Sequence, residues 1–260
     1  MEDNSNVKKF YQNDYDERLR EGGESLEHYR SRRIIARQLR DEPMEIADIC
    51  GATGAYSFWL AKMGHRVHLL DLMENHIEAA RIAGEESGIR LESYICADAR
   101  VLPYADNSMD MVLLMGAMYH LHSREARLDC LREAHRVLKP GGALVCTIIS
   151  RYTQLIATLK YRSFDDYPRD YIENSLRSGV HPKANFYFHT TDEIADELAA
   201  ANFENIRLIA VEGIANALTN NQIPDDDTFA KELLWAVERT ESDPNLLCIS
   251  RNIIAVSNKA

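Results

Sequence analysis

Apolar positions in this chain recur first at a helical spacing. Between Ser5 and Arg40 the residues are mostly polar, with Leu26, Tyr29, Ile34, Ile35 and Leu39 spaced close to 3.6 and Pro43 just beyond. This predicts a helical N-terminal extension over residues 1–42, placed as a lid. From residue 45 the period switches repeatedly. EIADIC (45–50) reads as a strand, 55–63 as a helix, RVHLLD (66–71) as a strand, 74–87 as a helix stopped by Gly88, and LESYICAD (91–98) as a strand. MDMVLLM (109–115) is continuously apolar, as expected of a strand covered on both faces. Residues 123–138 place Ala126, Leu128, Leu131, Ala134, Val137 and Leu138 on a helical stripe, which Lys139-Pro140-Gly141-Gly142 ends before the strand GALVCTIIS (142–150).

Later elements complete the pattern. A helix over 191–202, a strand over 205–213, a helix over 227–240 and a strand over 252–257 bring the strands to seven. Strands and helices alternating through short connectors predict an α/β fold, a Rossmann-like, doubly wound, seven-stranded and mostly parallel sheet with a helical cap. The stretch 151–189 breaks the rhythm, with Tyr152, Tyr161, Phe164, Tyr167, Tyr171, Phe186, Tyr187 and Phe188 scattered among charges. It is too long for a connector and follows the fifth strand, so it is expected to form an inserted helical flap over the substrate side of a domain running from 43 to 260.

Composition narrows the function classes. Forty-one acidic against 30 basic residues give a formal charge of −11, a field that repels phosphate backbones and argues against nucleic acid as a partner. Cys50, Cys96, Cys130, Cys146 and Cys248 form no C-x-x-C pair, and four lie in apolar runs, the usage of reduced, packed thiols. No apolar run approaches the ~20 residues that span a bilayer, and the N-terminus has neither a hydrophobic signal core nor an acid-poor transit composition. A cytoplasmic protein without a membrane partner is expected, as monomer or homodimer.

The sharpest chemical feature is Asp48-Ile49-Cys50-Gly51-Ala52-Thr53-Gly54, between the first strand and the first helix. Small residues there let the backbone turn tightly and approach a ligand at a helix N-terminus. Asp71 ends the second strand, where a carboxylate accepts the hydroxyls of a ribose; alternatively it caps the helix beginning near Met73. Asp98 follows the third strand in CADAR, where it can accept from an adenine amine or simply form a turn. These features suit any adenosine-containing cofactor, NAD included.

In order along the chain, DICGATG (48–54), LLD (69–71), CADA (96–99), LPYADNSMDMVLLMGAMYHL (102–121) and RVLKPGG (136–142) resemble the successive motifs of class I S-adenosylmethionine-dependent methyltransferases, across about residues 45–150. The extension and FYFHTTDEIADEL (186–198) resemble bacterial members acting on small molecules. The resemblance implies S-adenosylmethionine as cofactor and no metal. It places Asp48, Cys50, Gly51 and Gly54 at the methionine end, Asp71 and Leu72 at the ribose, Asp98 and Ala99 at the adenine, and Met115 at the edge of the fourth strand. The family pattern is acidic-x-Gly-x-Gly-x-Gly, and here Cys50 and Ala52 replace two glycines. A positive φ at Ala52 would weaken binding by ~1 kcal/mol or more, which keeps a non-catalytic relative open as a reading.

His120, just after the fourth strand, has the chemistry of a general base for a hydroxyl or amine acceptor, beside Tyr119 as a packing partner. Either could instead merely order the loop. Tyr11 and Tyr15, four apart, would share a helical face and offer rings to a sulfonium, and Arg30 could pair with the cofactor's carboxylate. The expected function is methyl transfer to a small-molecule N or O acceptor by in-line displacement. An NAD-dependent oxidoreductase is the rival, disfavoured by the G-x-x-G spacing of Gly51 and Gly54.

Overall fold

A computed structural model of the chain describes residues 25–181, 183, 185–224 and 226–260. Tyr11 and Tyr15 lie outside the described residues. In chain order the elements are α1 (Leu26–Ala36), β1 (Glu45–Ile49), α2 (Ala55–Lys62), β2 (Arg66–Asp71), α3 (Glu74–Ser87), β3 (Ser93–Cys96), β4 (Met109–Leu114), α4 (Ala117–His120), α5 (Arg124–Val137) and β5 (Leu138–Ser150). Then follow α6 (Thr153–Tyr161), α7 (Arg169–Ser178), β6 (Val180–His181), β7 (Phe186–His189), α8 (Thr191–Ala200), β8 (Phe203–Ala210), α9 (Ala215–Leu218), α10 (Asp227–Thr240) and β9 (Asn252–Lys259).

Strand β1 pairs in parallel with β2 and β4, β2 with β3, and β4 with β5. Strand β9 runs antiparallel between β5 and β8. The chain leaves β1 toward β2 on one side and returns to β4 on the other, so the strand order reverses at β1, and the crevice beyond the carboxyl ends of β1 and β4 is where α/β sheets bind ligands. Alternate side chains feed two buried layers. Ala47, Ile49, Val112, Leu114 and Cys146 pack with Leu131, Ala134, Ile194 and Leu198 from α5 and α8, while Ile46, Leu69, Leu113 and Val145 pack with Ile34, Ile35, Leu60 and Ile77 from α1, α2 and α3. That two-sided coverage is why these strands carry almost unbroken apolar runs.

Two expectations change. The 151–189 segment is not wholly helical: after α6 and α7, FYFH forms β7, which pairs with β6 and lies parallel to the end of β5 through Ile149–Phe188 and Ser150–His189. Aromatic side chains suit a half-buried pleated surface, and the end of β5 offered an unpaired ladder for them. Lys139-Pro140-Gly141-Gly142 does not separate α5 from β5; it is a bulge within β5, where the register with β4 shifts between Met109 and Met111. Among the described residues no helix is long and apolar enough to cross a membrane.

Candidate active site at the carboxyl ends of β1 to β4

The turn after β1 is built from left-handed backbone. Cys50, Ala52 and Gly54 have φ of 59°, 48° and 87°, so the three positions where the methyltransferase pattern has glycine all keep a glycine-like conformation, although only Gly54 is a glycine. Left-handed backbone costs an L-residue about 1–2 kcal/mol, and this turn carries that strain twice. Gly51 is needed for a different reason: a Cβ there would fall 2.5 Å from Leu69 Cδ1 and 2.7 Å from Asp48 Oδ2. Gly54 starts α2, its carbonyl accepting from Phe58 N–H.

Three carboxylates converge on this turn. Asp48, fully buried in β1, accepts from Ser57 Oγ at 2.7 Å, while its Oδ1 has no partner among the described residues. Burial pushes its carboxyl up to about 6, the Ser57 hydrogen bond opposing and the Asp71 charge adding to the rise. Asp71 Oδ2 accepts the Ala52 amide at 2.9 Å; Oδ1 accepts the Met73 amide at 2.9 Å and lies 3.1 Å from His76 Nδ1. Asp71 thus faces both the turn and the start of α3, but it is not the helix cap that the sequence allowed: the N-cap of α3 is Met73, without a side-chain capping bond. A carboxylate has about four acceptor directions, so three contacts leave Asp71 one for a ribose, fewer than the pair of hydroxyls expected of it. Asp98 bends back on its own neighbour, with Oδ1 accepting from Arg100 N and Nε at 2.9 Å each and Oδ2 from Nη2 at 2.6 Å. Leu72 and the buried Ala99 flank these two carboxylates in the chain, and the ladder joining β2 to β3 brings them to the same sheet end.

The segment after β4 lies against the turn. A Cβ at Gly116 would be 3.2 Å from Cys50 Cβ, which shows how closely the two loops approach. Burial holds the Cys50 thiol well above its usual range, with the Asp71 charge adding to it, so Cys50 packs and does not act as a thiolate. Tyr119 OH donates to Met115 O at 3.1 Å, and Met115 Sδ accepts from Thr147 Oγ1 at 3.3 Å. The rings of Tyr119 and His120 meet Phe186 of β7 at centroid distances of 5.7 and 5.3 Å, so the inserted segment does reach this end of the sheet. Burial lowers His120 to about 4, partly opposed by a hydrogen bond with the Asn185 backbone and by the charge of Asp71. The imidazole is neutral at pH 7.

Arg30 does not join this group. Its buried guanidinium donates to Val211 O and pairs with Glu238 of α10 and with Glu241, the C-cap of that helix, so its charge is spent on docking α1. It corrects the expectation of a cofactor contact: from the sequence, Arg30 is one of several arginines on a polar helix, and its partners lie some 200 positions away. Sequence reasoning also missed Ser57, His76, Arg100 and Phe186. Arg100 and His76 stand two and five residues after acidic residues already singled out, a spacing that is a usable signal; Phe186 stands among the aromatic residues of the 151–189 flap, with nothing in the spacing to single it out as the one against His120.

Residues 47–146 match the family model described as "Methyltransferase domain". The chain is 29% identical over 163 residues to a ubiquinone biosynthesis O-methyltransferase of Ruegeria pomeroyi, covering 63% of this chain and 61% of that one. It is 34% identical over 104 residues to a demethylmenaquinone methyltransferase of Listeria welshimeri, covering 39% and 43% respectively. The chain thus matches less than two thirds of the length of these relatives. In fold it resembles the Burkholderia thailandensis 1,6-didemethyltoxoflavin-N1-methyltransferase crystallised with its substrate and S-adenosylhomocysteine, at a TM-score of 0.58 and 15% identity, covering 97% of this chain and 84% of that one.

Proposed function

We propose that this chain, whose residues 47–146 belong to the class I S-adenosylmethionine-dependent methyltransferases, transfers the cofactor's methyl group to a small-molecule acceptor. The observation that carries the reading is the fastening of the turn to the ribose carboxylate: Asp71 holds the Ala52 amide, so the narrow cradle at Gly51 and the acceptor for a ribose form one rigid unit. The residues present fit the cofactor. Asp48 Oδ1 is buried without a partner among the described residues beside the turn, Gly51 lets the turn pack directly on Leu69 and Asp48, and the Asp98 carboxylate, paired with Arg100, lies where adenine is expected. Asp48, Cys50, Gly51 and Gly54 would hold the methionine end, Asp71 and Leu72 the ribose, Asp98 and Ala99 the adenine, and Met115 would border the cofactor from the edge of the fourth strand.

S-adenosylmethionine, when bound, supplies a methyl group on a sulfonium that is its own leaving group. The chain's task is then alignment, exclusion of water and removal of one proton. Phe186 and Tyr119 close the acceptor side with apolar rings. His120 is neutral and can take a proton from an acceptor hydroxyl or amine as the new bond to carbon forms. Burial leaves it a weak base, which favours an acceptor whose proton is itself acidic, such as a phenol or enol, over an aliphatic alcohol. The O-methyltransferase named among the relatives supports oxygen as the acceptor atom.

Titration calorimetry with S-adenosylmethionine, S-adenosylhomocysteine and NAD tests the proposal. Micromolar binding of the first two, weakened at least tenfold by Asp71→Asn and by Asp98→Asn, is expected. Binding of NAD alone would return the oxidoreductase reading, and no binding of any of the three would make this a non-catalytic relative.

A further inference from the structure

We propose that Arg127 is a positioning residue: held by Glu197, its guanidinium locks both the loop that carries His120 and the inserted hairpin that roofs it. Arg127 lies on α5, is buried, and makes three kinds of contact. Its Nε is 3.0 Å from each Glu197 oxygen and Nη2 is 2.6 Å from Oε1. Nη1 donates to the carbonyls of Leu121 and His122 at 3.0 and 2.7 Å, the two residues that follow His120. The guanidinium carbon sits 3.8 Å from the ring centroid of Tyr187, the neighbour of Phe186 on β7. His189, also buried, brings Nε2 to 3.4 Å from Glu197 Oε2. One side chain therefore touches the segment after β4, the hairpin and α8.

Stability alone is a poor reason for this arrangement. Both members of the pair are about 2–3% exposed, and burying two charges costs desolvation that an apolar pair of similar volume avoids. What the apolar pair could not supply is directed donors. The carbonyls of Leu121 and His122 end the short helix α4, where backbone acceptors lack intrahelical partners, and Arg127 provides two N–H groups at a fixed fork angle. The rings of His120 and Phe186 then lie 5.3 Å apart because one guanidinium holds both the backbone that follows His120 and the ring of Tyr187 next to Phe186.

This inference rests on the reading that His120 faces the transferred methyl group, so its test keeps the two apart. The full chain is labelled with 15N-histidine, and the His120 ring signals are assigned with His120→Asn. Three proteins are compared: the parent, Arg127→Lys, and the double variant Arg127→Met/Glu197→Met, which leaves no buried charge unpaired. Melting temperature reports the fold and calorimetry with S-adenosylhomocysteine reports the cofactor end. Expected are a folded double variant, S-adenosylhomocysteine affinity within about threefold of the parent, and His120 ring signals that move and broaden. Arg127→Lys, which keeps the charge but loses the fork, should shift the same signals in a protein that retains its ion pair. Unchanged His120 signals in either folded variant would overturn the positioning role, leaving a merely structural pair. Absence of S-adenosylhomocysteine binding in the parent would instead sink the proposed function, whatever the histidine signals do.

Discussion

The turn after β1 and the roof built from 151–189 both approach the segment after β4, at Gly116 and at His120 respectively, yet they are held by different means. At the turn, the polar contacts join residues no more than 19 positions apart, and three of them take backbone amides: Asp98 from Arg100, and Asp71 from Met73 and Ala52; Asp48 accepts from the Ser57 side chain. At the roof, buried guanidinium groups reach across the chain. Arg151 donates to Phe188 O, Leu176 O and Glu193, and Arg127 to Glu197, 70 positions away. A cradle that must approach a cofactor closely has to be made of backbone, whereas a roof that must fit one acceptor is set by side chains that can be exchanged. The difference teaches which substitutions should cost cofactor binding and which should cost only the roof.

The comparison breaks most sharply at Gly51. Gly51→Ala places a methyl group within 2.8 Å of both Leu69 and the Asp48 carboxylate, and backbone on either side cannot retreat without loosening the Ala52–Asp71 contact. Calorimetry should show S-adenosylhomocysteine affinity reduced at least about 100-fold, or about 3 kcal/mol. A variant binding within a few-fold of the parent would mean that the turn is not the cradle. Arg151→Met is the counterpart at the roof. It strips Phe188 O and Leu176 O of a donor and Glu193 of its ion-pair partner, and about 2–3 kcal/mol of stability should go, some 4–6 °C in melting temperature. S-adenosylhomocysteine affinity should stay within about threefold. If it collapsed as well, the two regions would be one cooperative unit.

The same difference explains what the sequence could be read for. Strand and helix positions followed from periodicity because β1, β4 and β5 are covered on both faces, and 66–71, 74–87 and 227–240 match the elements found to the residue. The carboxylates Asp48, Asp71 and Asp98 were legible because each sits at a strand end where topology already assembles a crevice. Their partners were partly legible, being close in sequence. The roof was not: that Phe186 faces His120, that Arg127 grips Tyr187, and that Arg30 turns to α10 depend on packing between segments tens to hundreds of residues apart. No local spacing encodes such contacts.

A smaller effect separates the regions by pH. His120, beneath the roof, has its protonation suppressed by burial, so the native state resists binding a proton and loses stability as pH falls from about 6.5 toward 4. Asp48, at the turn, is raised to about 6 by burial, so its contribution has the opposite sign: the native state gains stability as pH falls from about 6 toward 4. In the parent the two slopes oppose each other. Asp48→Asn should therefore lose stability more steeply than the parent between pH 6.5 and 4, and His120→Asn less steeply, each by about 1–3 kcal/mol in denaturant titrations. Parallel curves for all three proteins would show that neither group is desolvated as described.

The finest comparison lies inside the turn itself. Cys50 and Ala52 share the left-handed strain, but their side chains differ in what they do: Cys50 packs with the apolar layer around Ala47, Ile49 and Leu114 and approaches Gly116, while Ala52 contributes only a methyl group. Replacing Ala52 with glycine relieves about 1–2 kcal/mol of backbone strain and gives back about 0.4–1 kcal/mol through a freer unfolded chain. The net expectation for Ala52→Gly is a gain of up to about 1 kcal/mol, a rise of about 1–3 °C in melting temperature, with S-adenosylhomocysteine bound at least as tightly as by the parent. For Cys50→Gly the same relief is offset by lost packing, and the melting temperature should stay level or fall. If Ala52→Gly melted lower than the parent, the positive φ at residue 52 would have to be unstrained in this turn, held by the Asp71 contact rather than tolerated in spite of its cost.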